Sequence, residues 1–359
     1  MAAIELVVAD LVKRYSPQVA VGPLSFEVRE GEFFSLLGPS GCGKTTTLRC
    51  IAGFEDPSAG QITLSGRRLD GTPPHRRDVG LVFQSYALFP HLTVFDNVAF
   101  GLRLRRLGKA EIEARVGRIL ELVGLPELAG RYPAQLSGGQ QQRVAIARST
   151  VLEPRLILFD EPLSNLDFKL RVQMRAELRE LQRRLGKTSI YVTHDQSEAL
   201  ALSDRVAVLS QGRIEQVGTP VEIYETPETA FVADFIGSSN LIEATVIAKT
   251  PGATELRAAS GLALRAAAVA EAVGAGLLVL VRPEHIRLAI ETDGPASNRF
   301  AAEIAEVTYL GNDVQLRVRP QQGGELLVSL TSGKSTRRLQ RGGAVELAID
   351  PDDLHVLRR

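Results

Sequence analysis

Five short apolar runs punctuate the first 235 or so residues: FFSLL (33–37), VGLVFQ (79–84), LILFD (156–160), SIYVTH (189–194) and RVAVLS (205–210). Runs of this length, bounded by polar residues, predict strands buried on both faces, and the stretches between them carry helical periodicity. Strands alternating with helices predict an α/β core with helices on both faces of a sheet. A mostly helical insert, about 90–152 and including AEIEARVGRILELVGL, separates the second run from the third. Farther on, Leu166, Leu170, Met174, Leu178, Leu181 and Leu185 recur at intervals of four, four, four, three and four, one apolar stripe of a helix packed on the sheet. No heptad repeat is sustained there, so a coiled coil is not expected.

After FVADFIGSSN (231–240) the pattern changes. Residues 240–359 carry many short apolar runs, among them NLIEATVIA, LLVLV, AEIAEVTYL, VQLRV, ELLVSL and AVELAI, separated by Gly, Pro, Asn and Asp. Such spacing predicts a small all-β barrel or sandwich, with a domain boundary near 236–240. The stretch ending VRPEHIRLAI and the one ending IDPDDLHVLRR read as two weakly related halves.

Composition changes this picture little. A chain of 359 residues has room for two domains, and 42 basic against 42 acidic side chains give no overall electrostatic reason for nucleic-acid binding. The two cysteines, Cys42 and Cys50, and the absence of a charged-then-apolar opening favour a reducing, cytosolic setting. The most apolar stretch, AAAVAEAVGAGLLVLV (266–281), is broken by Glu271 and two glycines and falls short of a membrane span.

The candidate chemistry is concentrated. GPSGCGKTT (38–46) follows a strand and opens a helix, and its Gly-x-x-x-x-Gly-Lys-Thr frame is suited to phosphate. Gly38, Gly41 and Gly43 can take positive φ and curl backbone N–H groups around an anion, Lys44 reaches terminal phosphates, and Thr45 offers a hydroxyl to Mg²⁺. The bland alternative is a glycine-rich strand-to-helix turn. LILFDEP ends a strand in Asp160, placed to hold Mg²⁺, followed by Glu161 as a candidate base; alone, the two could merely cap the next element. LSGGQQQR (136–143) adds a second glycine-bearing helix N-terminus, Leu136 to Gln140, again suited to an anion. A plain N-cap explains Ser137 but leaves Gly138 and Gly139 unexplained.

GPSGCGKTT, LSGGQ, LILFDEP, SNLD and VTHD, in this order over residues 4–235, resemble the ATP-binding cassette ATPases. The resemblance implies a P-loop NTPase core with a helical subdomain at about 90–152. It also implies a head-to-tail pair of cassettes with ATP held between the phosphate loop of one (Gly38, Pro39, Ser40, Gly41, Cys42, Gly43, Lys44, Thr45, Thr46) and Leu136, Ser137, Gly138, Gly139 and Gln140 of the other. It further implies Tyr15 as the adenine-stacking aromatic, Gln84 at Mg²⁺ and the attacking water, and Mg²⁺ held by Thr45, Gln84 and Asp160. In the same reading Glu161 polarises water, Lys44 neutralises charge, Asp167 communicates across the dimer and His194 contacts the γ-phosphate.

The short span between Lys44 and Ser137 disfavours the chromosome-maintenance relatives, and a single cassette disfavours the translation type. SYALFPHLTVFDNVAFGL, with Tyr86, Phe89, Phe95 and Phe100, resembles the surface by which importer ATPases grip a permease coupling helix, here near Gln84 to Phe100; the same aromatics could fill the core. The tail at 240–359 is similar to the OB-like barrel, termed TOBE, of importer ATPases serving sugars, polyamines, ferric iron, sulfate or phosphonates. That resemblance implies a homodimer, peripheral to the cytoplasmic face of the inner membrane, beneath two permease subunits fed by an extracytoplasmic binding protein. FIGSSNLI and EVTYLGNDVQLRV favour polyamine, iron or phosphonate over maltose-type sugar or sulfate. A soluble cassette acting on nucleic acid or ribosomes is the alternative of another class, and no nucleic-acid partner is expected.

Overall fold

The computed structural model describes residues 3–16, 19–164, 166–289 and 298–357. Asn165 of the SNLD run and the last residue of the IRLAI run, Ile290, lie outside these. Two compact units divide the chain, Met1–Val221 and Glu222–Arg359.

In the first unit, β3 (Phe33–Leu37), β6 (Val79–Val82), β7 (Leu156–Asp160), β8 (Thr188–Thr193) and β9 (Arg205–Ser210) are the five runs named above. With β10 (Arg213–Gly218) they form a sheet of order β10-β9-β3-β8-β7-β6. All pairs are parallel except β9 with β10. Every residue of β3 and β8 is buried, because both faces are covered. On one face Phe33, Ile157, Phe159 and Tyr191 meet α2 (Val94–Leu104), α3 (Lys109–Leu122), α4 (Gly138–Thr150) and α5 (Phe168–Leu185). On the other, Phe34, Leu36, Leu158 and Val192 meet α1 (Lys44–Ala52) and a four-stranded antiparallel sheet.

That second sheet, β2-β1-β4-β5, joins β1 (Ile4–Arg14), β2 (Val19–Arg29), β4 (Ala59–Leu64) and β5 (Arg67–Arg68). The apolar pattern did not predict it. The pairing of β1 with β2 has four register shifts, and Asp10 sits at φ 49°, so strict alternation is lost. The apolar stripe starts later than the sequence suggested: Asp167 caps α5, and Leu166 lies before the helix, buried with Leu163 and Met174. α6 (Gln196–Leu202) completes the unit.

The change of sequence pattern near 236–240 is not where the compact units part. The division falls inside α7 (Pro220–Glu225), and α8 (Ala230–Ile236) belongs to the second unit, where Ala233 is buried against Leu280 and Leu357. The strands of this unit are β11 (Asn240–Thr250), β12 (Ala253–Ala258), β13 (Ala263–Ala267), β14 (Gly276–Val281) and β15 (Arg287–Leu288), then β16 (Asn298–Tyr309), β17 (Asp313–Pro320), β18 (Leu326–Thr331), β19 (Ala344–Ile349) and β20 (His355–Leu357). They form two antiparallel sheets, β13-β12-β11-β14-β20 and β15-β19-β16-β17-β18, over one core.

The two halves have the same layout, with one exchange: each half's last strand pairs into the other half's sheet, β20 beside β14 and β15 beside β19. Buried asparagines at equivalent positions join the sheets at their far edges. Asn240 of β11 donates to Leu327 O (2.8 Å) and accepts from Leu327 N–H (2.7 Å). Asn298 of β16 donates to Arg265 O (3.0 Å) and accepts from Arg265 N–H (2.5 Å). Each amide substitutes for one rung of a strand ladder.

Candidate functional site: strand ends of the first unit

Register places the candidate residues together. Leu37 of β3 pairs with Thr193 of β8, and Val192 of β8 pairs with Asp160 of β7, so the segments leaving all three strands emerge side by side. The carboxyl ends of parallel strands are where ligands bind in open α/β sheets.

The loop after β3 is shaped by two different demands. Gly41 (φ 81°) and Gly43 (φ 107°, the N-cap of α1) are left-handed, as expected. Gly38 is not; its requirement is steric, since a Cβ there would lie 2.3 Å from Leu209 O and 2.7 Å from Cys42 Sγ. A Gly38→Ala protein is therefore expected to lose about 1–3 kcal/mol of stability through overpacking, together with most of the thermal stabilisation given by ATP. Melting curves with and without nucleotide check this; unchanged curves would remove the steric argument.

Lys44 is 5% exposed, and its ammonium donates to Gly38 O (2.7 Å) and Pro39 O (3.0 Å). Both partners are neutral carbonyls. A buried cation held only by neutral acceptors beside left-handed glycines fits the oxygens of a phosphate chain. Cys42 is buried against this ammonium, and burial pushes its thiol up, away from the reactive thiolate. Thr45 Oγ1 donates to Asp160 Oδ1 (3.5 Å). Burial, followed by the neighbouring Glu161 charge, raises the Asp160 carboxyl above its usual range. A hydroxyl and two adjacent carboxylates, one costly to ionise alone, suit a hard divalent cation.

Thr46 reaches Tyr15: their hydroxyls lie 3.4 Å apart, and the phenol also donates to Glu55. The Lys13 ammonium covers one face of the Tyr15 ring at 5.4 Å, and the side chain is 60% exposed.

Glu161 adopts φ 45°, a conformation costly for a side-chain-bearing residue, and such strain clusters at functional sites. Its N–H donates to Val192 O (3.1 Å), and its Oε2 lies 3.0 Å from His194 Nδ1. Ser164, which sequence reasoning did not single out, completes the chain: its hydroxyl donates to Glu161 O (2.9 Å) and accepts from Gln84 Nε2 (3.0 Å). Its place in SNLD was the available signal. Gln84, Ser164, Glu161 and His194 thus form one connected row.

Leu136–Gln140 lie apart from this row. Ser137 and Gln140 form a capping box on α4, with Gln140 Oε1 accepting from Ser137 N–H at 3.0 Å. A Cβ on Gly138 would lie 3.1 Å from Leu166 Cδ2, and one on Gly139 would lie 2.7 Å from Met174 Sδ, so the two glycines pack closely against a side chain just before α5 and one within it. Among the described residues no hydrogen bond joins this segment to the phosphate loop. Asp167 accepts from Leu170 N–H (3.0 Å) as the N-cap of α5.

The aromatics after Gln84 divide. Tyr86 is buried in the helical core and Phe95 packs against it, so these two cannot form an exposed grip. Phe83, Phe89 and Phe100 line a cleft of about 460 Å³ together with His75, Arg105 and Arg148. Phe89 and Phe100 have ring centroids 4.6 Å apart, and Arg148 lies over Phe89. Its guanidinium also holds the carbonyls of Tyr86 and Ala87, both at positive φ.

Residues 21–164 match the ABC transporter family model, and residues 279–357 match that of the TOBE domain. The chain is 51% identical over 344 residues to the spermidine/putrescine import ATP-binding protein PotA of Rubrobacter xylanophilus, covering 95% of this chain and 90% of that one. The chain belongs to the ABC transporter ATP-binding family. As a member it is an ATP-hydrolysing subunit. PotA of Acidothermus cellulolyticus is 54% identical over 325 residues (89% and 85% of the two chains), and PotA 1 of Pseudomonas aeruginosa 48% over 347 (95% and 93%). Among solved structures, cbiO1 from Clostridium perfringens, part of the ABC transporter complex cbiONQ, is 32% identical with a TM-score of 0.58, covering 62% of this chain and 90% of that one. The cassette MJ0796, dimeric in a post-hydrolysis state with ADP and Pi, is 31% identical with a TM-score of 0.52, covering 60% and 98%. No helix among the described residues is long and apolar enough to cross a membrane.

Proposed function

We propose that this ATPase is the energy-coupling subunit of a binding-protein-dependent importer of polyamines, working as a homodimer with two permease subunits at the cytoplasmic face of the inner membrane. The observation that carries the coupling role is the row Gln84–Ser164–Glu161–His194, which begins beside the Phe83, Phe89 and Phe100 cleft and runs through the candidate base, Glu161, to His194. An amphipathic permease helix in that cleft would bear on the segment holding Gln84. The polyamine assignment rests on the import activity for which the relatives are named, and the Phe235 to Asn240 run favours polyamine, iron or phosphonate over sugar or sulfate.

In this reading Mg²⁺, held by Thr45, Asp160 and Gln84, supplies charge neutralisation at the phosphate oxygens when bound. The chain's own residues do the rest. Gly38–Thr46 wrap the phosphates and Lys44 donates its ammonium to them. Tyr15 offers its free ring face to adenine. Glu161 takes the proton of the attacking water while His194, bonded to its Oε2, fixes its orientation. Ser137 to Gln140 close the site of the partner copy, and Asp167 lies where the two sites communicate.

Affinity purification of the tagged chain from gently solubilised membranes is expected to retain two permease subunits. ATP turnover of that complex in lipid should rise when binding protein loaded with spermidine or putrescine is added. Recovery with ribosomes or nucleic acid overturns the transport reading, and stimulation by ferric iron, phosphonate, sugar or sulfate instead overturns the polyamine assignment.

A further inference from the structure

Two turns of the first unit carry candidate site residues: the one before α5, which closes on Asp167, and the one between β8 and α6, which holds His194. One side chain reaches both. Near the start of α5, Arg171 donates through Nη2 to Leu166 O (3.0 Å) and through Nη1 to Asp195 Oδ2 (3.3 Å), and its Nε lies 3.8 Å from Glu198 Oε1. Leu166 immediately precedes Asp167, and Asp195 immediately follows His194. The guanidinium donors form a rigid planar fork, so two acceptors bonded to it are held at a fixed separation. Arg175 reaches the same Asp195 Oδ2 (3.2 Å), but among the described residues it makes no bond to the Asp167 turn.

The His194 turn is anchored beyond the histidine. Asp195 caps α6 by accepting from Glu198 N–H (3.1 Å), and its own N–H donates to Thr193 Oγ1 (3.0 Å). That hydroxyl and the Tyr191 phenol each donate to Glu198 Oε2 at 2.8 Å. Glu198 is 2% exposed, so the anchor is a buried carboxylate and Arg171 is the cation beside it. His194 has no such hold: its side chain is 54% exposed, and among the described residues its ring makes one hydrogen bond, with Glu161 Oε2. The aim of the ring at Glu161 is therefore set by the backbone on either side of it, which on the Asp195 side is tied to the arginine. We propose that Arg171 is a positioning residue for ATP hydrolysis: it locks the turn that carries His194 to the turn that ends on Asp167. The ring is thereby kept on Glu161, and a shift of the Asp167 turn is carried to it. This role presupposes those proposed above for His194 and Glu161.

In full-length protein, Arg171→Met is expected to lower kcat for ATP by about tenfold or more, the scale of a misplaced reacting group, with KM and the thermal stabilisation given by ATP unchanged. Arg175→Met, which removes a bond to the same carboxylate oxygen but none to Leu166, should leave kcat nearly as it was. In protein carrying ¹³Cε1-histidine, Arg171→Met should move the His194 ring signal, identified by its loss in His194→Gln, and leave those of His75, His91, His285 and His355 in place. Full turnover by His194→Gln would overturn the role of His194 itself, whatever Arg171 does. A normal kcat for Arg171→Met beside a slow His194→Gln would overturn the proposal alone. So would an equal loss in Arg175→Met, a rise in KM that accounts for the loss, or an unmoved His194 signal. Where Arg171→Met does not fold, Arg171→Lys, which keeps the charge but has one donor nitrogen in place of the fork, is read with the same expectations. Failure of both to fold would make Arg171 a residue of the core and overturn the proposal.

Discussion

A Glu161→Gln protein is expected to bind ATP within a few-fold of normal while its turnover falls by about 10²–10⁴-fold, the range for loss of a positioned base. The substitution keeps the shape of the side chain and an acceptor for His194, 3.0 Å from Oε2, and it leaves the backbone bonds to Val192 and Ser164 intact. Only the ability to take a proton is removed. Phosphate release measured beside fluorescent-nucleotide binding separates the two quantities, and a normal hydrolysis rate would take Glu161 out of the chemistry. Ser164, which touches Glu161 only through its backbone, is a positioning residue.

The largest effect expected on stability lies in the second unit. Arg282 is 2% exposed and donates to Tyr224 O (2.8 Å), Ala233 O (2.8 Å), Ser238 O (3.2 Å) and Ser239 Oγ (2.9 Å), with its guanidinium 4.3 Å from the Tyr224 ring centroid. Three of these acceptors are backbone carbonyls of the segment that carries α7 and α8. Replacing Arg282 with alanine removes these charge-assisted hydrogen bonds, leaving Ala233 O with only the Ser239 hydroxyl (2.7 Å) as a side-chain donor, and opens a cavity, a cost of about 3–5 kcal/mol. Calorimetry should show the unfolding of the second unit moved to much lower temperature while ATP binding by the first persists. A transition within a degree of the parent's would show that the segment is held by other means. Alkali acts on the same junction. Burial, with the bond to Glu284, pushes the Tyr224 phenol up to about 12, so its contribution is present below pH 10 and lost as pH rises toward 12.

Much of the first unit was legible because its core strands are buried on both faces, and a continuous apolar run such as FFSLL or LILFD then needs no alternation to be recognised. The glycine-bearing loop at 38–46 and the capped helix start at Leu136–Gln140 were legible as local structure because residue types at fixed spacing set them. What escaped depended on long-range partners. The antiparallel sheet was hidden by the bulges of β1 and by the half-exposed β4, whose first three residues face solvent. Of the aromatics after Gln84, which could grip a helix or fill the core, Tyr86 fills the core from a loop position at φ 60°, a placement that periodicity does not report. Ser164 acquires its role from a turn that brings it between Gln84 and Glu161. The glycines of LSGGQ looked like an anion device alone, and the contacts with Leu166 and Met174 add a second reason for them.

The exchange of β15 and β20 between the two sheets of the second unit makes its halves inseparable. Neither half holds five strands without the other, so the unit has the topology of an intertwined dimer whose two protomers have been fused into one chain. In that arrangement β20 is an edge of the sheet that begins with Asn240, more than a hundred residues earlier. Damage to β20 is therefore felt first in the half farthest from it along the chain.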